Sequence, residues 1–487
     1  MLLWDPCFEL FPLTATPSET HREAGPAPDG TFLAPPAYLN AGNEIVVQEL
    51  LQESLSLWRQ NGVCLAPFAR TFTAAEQAAR ETYLDRFLQT VETELRDLPS
   101  TRSERRCAHD RITSAFTNFA KACLGLDDSH LELLLNHGFS AIAAELAREA
   151  RHIDPAVSAA DIFQASRNAW TACALQTLMG QRMRLTPAIF AYSMLYPYTD
   201  NYLDDPAISR DAKLEFSDRF RRRLEGYAAA PFNDREATIW HLIGLIEEQY
   251  RRTDWPEVYA SLLTIHRAQE NSVRMLRFGS SPANVDVLKL SFEKGGASVV
   301  ADACLVAGSL SPDEARVAFG WGVLLQLVDD LQDIQQDLRD GNLTVFTESA
   351  ACLRSGPPPG MPLDDLTTRA LNFGYGVMRQ VDRMPSDHSA IKDAAPKHKS
   401  LKEMIRMSSS LLLIWSAGES AKLYTGNYLA DLETHSPFRF ATLAQRRGKL
   451  TRWTGPLARM FESFLKDKDE EDGAASLLLA SFFMPRL

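Results

Sequence analysis

The chain has 487 residues, a formal net charge of −12 and 45% hydrophobic content. That length allows two or three ordinary domains or one large core with extensions, and the acidic balance argues against nucleic acid or an anionic membrane surface as main partner. Seven scattered cysteines with no C-x-x-C pair read as reduced, mostly buried thiols of a cytoplasmic protein rather than a disulfide or zinc framework.

The opening MLLWDPCFELFPL lacks a basic n-region and a clean apolar core, so no signal peptide is expected. No uncharged apolar run is long enough for a transmembrane segment. Residues 1–43 are proline-rich, from Pro6 to Pro36, and read as an extended arm. From about Asn43 apolar residues recur three and four apart, predicting helices at about 43–61, 73–98, 104–123, 128–151 and 158–180. Thr73 and Ser158 are expected caps and Gly180 an expected stop. Further helices are predicted at about 187–205, 209–227, 233–252, 255–277, 282–308 and 312–340. SGPPPGMP, at 355–362, breaks the pattern, which resumes at about 363–383, 398–430 and from about 437 onward. KDKDEEDG, at 466–472 and just beyond, reads as a solvated turn, and the tail LLLASFFMPRL as packed on the body. No strand series and no fixed-period repeat is present, so the expected class is all-α. The expected divisions are an arm (1–43), N-terminal helices (44–157), a core carrying the chemistry (158–350) and a C-terminal helical region (351–487).

Two of these helices carry the chemistry. Ser311-Pro312-Asp313-Glu314 has the form of a helix start, and the uncharged run Gly320 to Val328 leads into Asp329, Asp330, Asp333 and Asp337. At 3.6 residues per turn Asp329, Asp333 and Asp337 share a face, with Asp330 one step round. Like charges so spaced repel, so something positive is expected among them. In the other, Thr186-Pro187 opens an uncharged stretch, AIFAYSMLYPYT, that ends in Asp200, Asp204 and Asp205 before Pro206. Aspartate oxygens without nearby His or Cys suit Mg²⁺, which combines one or two carboxylates with water and substrate phosphates. Two such walls facing each other across Mg²⁺ would form a diphosphate-binding site.

YSMLYPYTDNYLDDPAISRDAKLEFSDRFRRRLEG resembles the first aspartate-rich region of squalene and phytoene synthases, and GWGVLLQLVDDLQDIQQDLRDGNLTVF resembles their second. Asp329-Asp330-x-x-Asp333 also looks like the D-D-x-x-D of trans-prenyl diphosphate synthases. Lys294, in FEKGGASVVADACLVAG, resembles their diphosphate-binding lysine. The resemblance covers about residues 160–350 and implies the class I isoprenoid synthase α-helical bundle, with extra helices at both ends. It implies a prenyl diphosphate substrate held through Mg²⁺ by Asp200, Asp204, Asp205, Asp329, Asp330, Asp333 and Asp337, with Asp200, Asp204, Asp333 and Asp337 essential to turnover. The first motif is not D-D-x-x-D, Asn342 stands where elongases carry a lysine, and an N-S-E signature with an Arg-Tyr pair is absent.

Arg274 and Arg277 are three apart on one predicted helix and could clamp a phosphate. Tyr192, Tyr196 and Trp321 suit an ordinary core, and their aromatic faces would equally stabilise a carbocation. Arg221-Arg222-Arg223 reads as a solvated run, and His266 as a core histidine. No G-x-S-x-G, P-loop or G-x-G-x-x-G is present. The first expectation for function is a terpene synthase, a carbon–oxygen lyase that cyclises a prenyl diphosphate. Head-to-head prenyl transfer comes second, and a catalytically silent helical protein that binds prenyl lipid or a partner comes third. A homodimer is compatible with the sequence.

Overall fold

The computed structural model describes residues 42–62, 64–65, 70–96, 101–136, 138–205, 207–275, 285–355, 362–382 and 394–450, with 456, 459, 460 and 463. The arm before residue 42, Pro206, Arg277, most of SGPPPGMP, the charge run and the C-terminal tail lie outside these residues, as do the side chains of Asp204 and Arg274. Among the described residues every regular element is helical and none is a β-strand.

The helices are α1 (Gly42–Gln60), α2 (Ala74–Arg96), α3 (Arg102–Phe119), α4 (Asp128–Leu131), α5 (Phe139–Ile153), α6 (Ala159–Leu178), α7 (Pro187–Asp204), α8 (Arg210–Leu224) and α9 (Asp234–Gln249). They continue with α10 (Pro256–Met275), α11 (Val287–Ala307), α12 (Pro312–Gln332), α13 (Ile334–Asp340), α14 (Val345–Ser355), α15 (Leu363–Val381), α16 (Ala394–Glu419), α17 (Gly426–Glu433) and α18 (Phe440–Leu450). Their ends follow local chemistry. Ser158 and Ser311 each form a capping box, with Asp161 and Glu314. Thr186 caps α7 with Pro187 at its first position, and Thr73 accepts from the Glu76 N–H at 3.2 Å. Gly180 and Gly341, at φ of 70° and 73°, take the left-handed conformation that ends a helix.

Three predicted helices are divided. The segment predicted at 128–151 is split by a π-helical turn, Glu132–Asn136, and by Gly138, which precedes α5 with φ −109° and ψ −119°, outside the helical range. The one predicted at 398–430 ends at Glu419, and α17 restarts from a Thr425 cap. The acidic helix predicted at 312–340 breaks at Asp333, whose ψ of 3° leaves the helical range and whose short polar side chain favours such a departure. The four-residue backbone bonds survive the break, since the Asp333 N–H donates to the Asp329 carbonyl at 3.0 Å and the Asp337 N–H to the Asp333 carbonyl at 2.8 Å.

The core is built on α6, α11 and α12, which are buried along nearly their whole length. Helix α11 packs on α12, α10, α6, α1 and α7, while α6 packs on α7, α5 and α16, and α12 on α15 and α16. Glycine sets the α11–α12 spacing. A Cβ at Gly295 would lie 2.5 Å from the Gln326 Cβ and 2.6 Å from the Gly322 carbonyl oxygen, so the two backbones touch at that crossing. The contact fixes the register that places the polar side chains of α11 beside those of α12.

Candidate functional site

The carboxylates of α12 point inward. Asp329 and Asp330 are each 6% exposed and Asp333 is 7% exposed, with Asp337 half-buried on α13. Asp330 is held from both sides: Ser291 Oγ on α11 donates to its Oδ2 at 2.8 Å, and Gln326 Nε2 to its Oδ1 at 2.7 Å. Burial is the larger effect and pushes its carboxyl above the usual aspartate range, against these two bonds and the charge of Lys294. Asp337 is pushed up to about 6, again first by burial, while Asn342 Nδ2 donates to its Oδ1 at 2.8 Å. Asn342 thus orients a carboxylate. Lys294 lies one turn after Ser291, within electrostatic reach of both Asp330 and Asp337. It brings one positive charge to that end of the acidic stretch.

The second wall is α7. Tyr192, Tyr196 and Asp200 follow one another at four-residue intervals along one ridge. The end of the helix is pinned to its neighbours: Tyr198 Oη donates to Asp154 Oδ2 at 2.6 Å, and Asn201 Nδ2 to Asp161 Oδ1 at 2.9 Å. Asp205 follows the last turn of α7, and its Oδ1 accepts from the Ala207 N–H at 2.8 Å, which shapes the turn. Asp200 is half-buried and accepts from Thr199 Oγ1 at 3.3 Å.

Tyr196 senses both acidic stretches. Its phenol is within electrostatic reach of Asp200 on α7, Asp302 on α11 and Asp329 on α12, and burial, with the charge of Asp200 next, raises its pKa. Asp200 of α7 and Asp329 of α12, well over a hundred residues apart in sequence, are therefore both within electrostatic reach of the same side chain. Trp321 is sealed in the core at 1% exposure, and its indole N–H has no hydrogen-bond partner among the described residues. Two other groups have structural partners. Arg221 pairs with Asp218 and Glu225, and Arg223 with Glu247 at 2.6 Å. His266 is buried, 3.4 Å from Ser217 Oγ and edge-on to Phe220, and burial lowers its pKa.

Below the acidic end lies a polar layer that the motif reading missed. Asp302 on α11 is 1% exposed, and Asn168 Nδ2 on α6 donates to its Oδ1 at 3.1 Å and to Ser193 Oγ on α7 at 3.2 Å. Arg167, also buried, lies over the Phe163 ring. The signal was present: Asp302 is the one charge in ASVVADACLVAG, and Arg167 the one charge in IFQASRNAWTACALQTL. An isolated polar residue inside a buried apolar run is costly unless it has a partner or a task.

No family model matches the chain, and no significant match was found among curated proteins or solved structures.

Proposed function

We propose that this chain is a Mg²⁺-dependent enzyme of the class I isoprenoid synthase type, which ionises an allylic prenyl diphosphate and cyclises the resulting carbocation. The observation that carries the reading is that Tyr196 lies within electrostatic reach of both Asp200 of α7 and Asp329 of α12. An all-helical core in which aspartates follow uncharged buried stretches also supports it.

The donor set fits the ion in chemistry: Asp200, Asp329, Asp330, Asp333 and Asp337 offer only hard oxygens. Among the described residues no three acidic, His or Cys side chains gather into a group able to hold a metal by themselves. Mg²⁺ does not need such a cage, because substrate phosphates and water complete its shell. When bound it would screen the carboxylates and stabilise the departing diphosphate. Asp204 takes the role its place in the α7 motif implies, and Arg274 near the end of α10 would receive phosphate oxygens, with Arg277, outside the described residues, in the role its sequence position implies.

Lys294 binds the diphosphate from the α11 side, next to Asp330 and Asp337. Ser291 and Gln326 hold Asp330 in place through the bonds described above. Below them, the buried ridges of α7, α11 and α12 keep water from the carbocation, and the rings of Tyr192, Tyr196 and Trp321 supply negative faces without a strong nucleophile.

Purified protein with Mg²⁺ and geranyl, farnesyl or geranylgeranyl diphosphate should release diphosphate. A product of unchanged carbon number means cyclisation, and a doubled number means head-to-head condensation. No release from any chain length would leave a silent binding protein.

A further inference from the structure

The layer around Asp302 has no part in holding a diphosphate. It lies two helical turns, about 12 Å, along α11 from Lys294. Ser291, Ser298 and Asp302 fall on one stripe of that helix, opposite the Tyr192–Tyr196–Asp200 ridge of α7. Both phenols are within electrostatic reach of Asp302. Pro197, inside α7, has no N–H to give to the Ser193 carbonyl, which adds an acceptor to the layer. Two oxygens in this sealed place, Asp302 Oδ2 and Asn168 Oδ1, have no hydrogen-bond partner among the described residues. A buried ionised carboxylate with a bare oxygen would be very costly, so the group is a neutral carboxylic acid with an O–H to give.

We propose that Asp302 is the proton-transfer residue of this site, giving a proton to an olefinic prenyl intermediate and taking one back. The inference rests on the isoprenoid reading above. In the first step the Asp302 O–H bond breaks and a π pair of the hydrocarbon forms a C–H bond. The neighbouring carbon is left cationic and Asp302 becomes a carboxylate. In the second step that carboxylate removes a proton from a carbon adjoining the cation, and the C–H pair becomes a new double bond. Asp302 ends as it began, so no other reactant is needed. Asn168 is a positioning residue, since its amide fixes one carboxyl oxygen and leaves the other to the hydrocarbon. The other titratable groups near Asp302 are Tyr192, Tyr196 and Cys173, all protonated at neutral pH, with burial raising each pKa further. Asp302 is intrinsically the strongest acid of the four.

The test is turnover of farnesyl diphosphate with Mg²⁺ in deuterated water, with diphosphate and product mass read from the same tube. The expected wild-type product carries deuterium on carbon. Asp302→Asn should lower the labelled product, per diphosphate released, by about a hundredfold. Asp302→Glu should restore part of it, which a merely structural role would not. A wild-type product without deuterium overturns the proposal even if no variant folds, and so does an unchanged label in Asp302→Asn. Absence of diphosphate release from the wild-type protein with every prenyl diphosphate overturns the isoprenoid reading itself, and the proposal with it.

Discussion

Asp330 and Asp337 show what a buried acidic site costs the protein that carries it. Their carboxyls are driven up mainly by burial, so the fold holds their protons more tightly than the unfolded chain does. For Asp337 the ordinary value is near 3.9 and the folded value about 6. The unfavourable contribution is absent below the lower value, grows as pH rises between the two, and is complete above the upper one. Asp337→Asn removes it, so the variant's gain in Tm over wild type should be larger near pH 7.5 than near pH 4.5 in paired thermal melts. The same substitution should weaken turnover, because a carboxylate useful to a cation is a liability without one. Mg²⁺ with inorganic diphosphate reverses the sign, since binding favours the ionised forms. The Tm increase they cause should be greater near pH 7.5 than near pH 5.5. Asp333→Asn should cut diphosphate release by about a hundredfold or more, with the far-UV circular dichroism unchanged. Full activity in that variant would remove the acidic site from the chemistry.

Helices α11 and α12 form a unit because glycine lets them touch. Gly295 and Gly322 meet backbone to backbone, and a Cβ at Gly322 would run into the Gly295 carbonyl. Backbone cannot move aside as a flexible side chain does, so Gly322→Ala must push the helices apart. The expected loss of stability is about 1–3 kcal/mol, measured by urea denaturation. The same shift would draw Ser291 away from Asp330, so turnover should fall beyond what stability explains. Ser311→Ala, at the exposed start of α12, makes the contrast. It removes a cap worth about 1 kcal/mol and should leave turnover by the folded fraction unchanged.

At the scale of the whole molecule, the helices after residue 350 belong to the body that holds the acidic ridges. Helices α15 and α16 pack on α12, and α16 packs on α6. A Cβ at Gly374 would lie 2.9 Å from Leu324 Cδ1, and the Trp58, Phe292 and Phe373 rings join α1, α11 and α15 at centroid distances of 5.5–6.2 Å. A chain ended after Ser355 would bare the α12 surface, and it should be insoluble or unfolded. The intact protein should show one urea transition, coincident by fluorescence and circular dichroism. Two separated transitions would make the C-terminal helices an independent domain. Among the described residues no helix is long and apolar enough to cross a membrane.

By itself the sequence determined what depends on neighbours within a few turns. Helix periodicity, the Ser158, Thr186 and Ser311 caps, the Gly180 and Gly341 stops and the two runs of aspartate are all short-range, because backbone bonding and side-chain spacing within a helix reach only about four residues. The break at Asp333 and the division of the helix predicted at 128–151 were not legible, since apolar periodicity continues across them. Only the tertiary structure decided which faces oppose one another. It brought Lys294 within electrostatic reach of Asp330 and Asp337 and Tyr196 within reach of aspartates on α7 and α12, and it joined Asn168 to Asp302 across 134 positions of chain. Those juxtapositions follow from close packing of whole helices, in which contacts far apart in sequence jointly fix a register that no local pattern encodes.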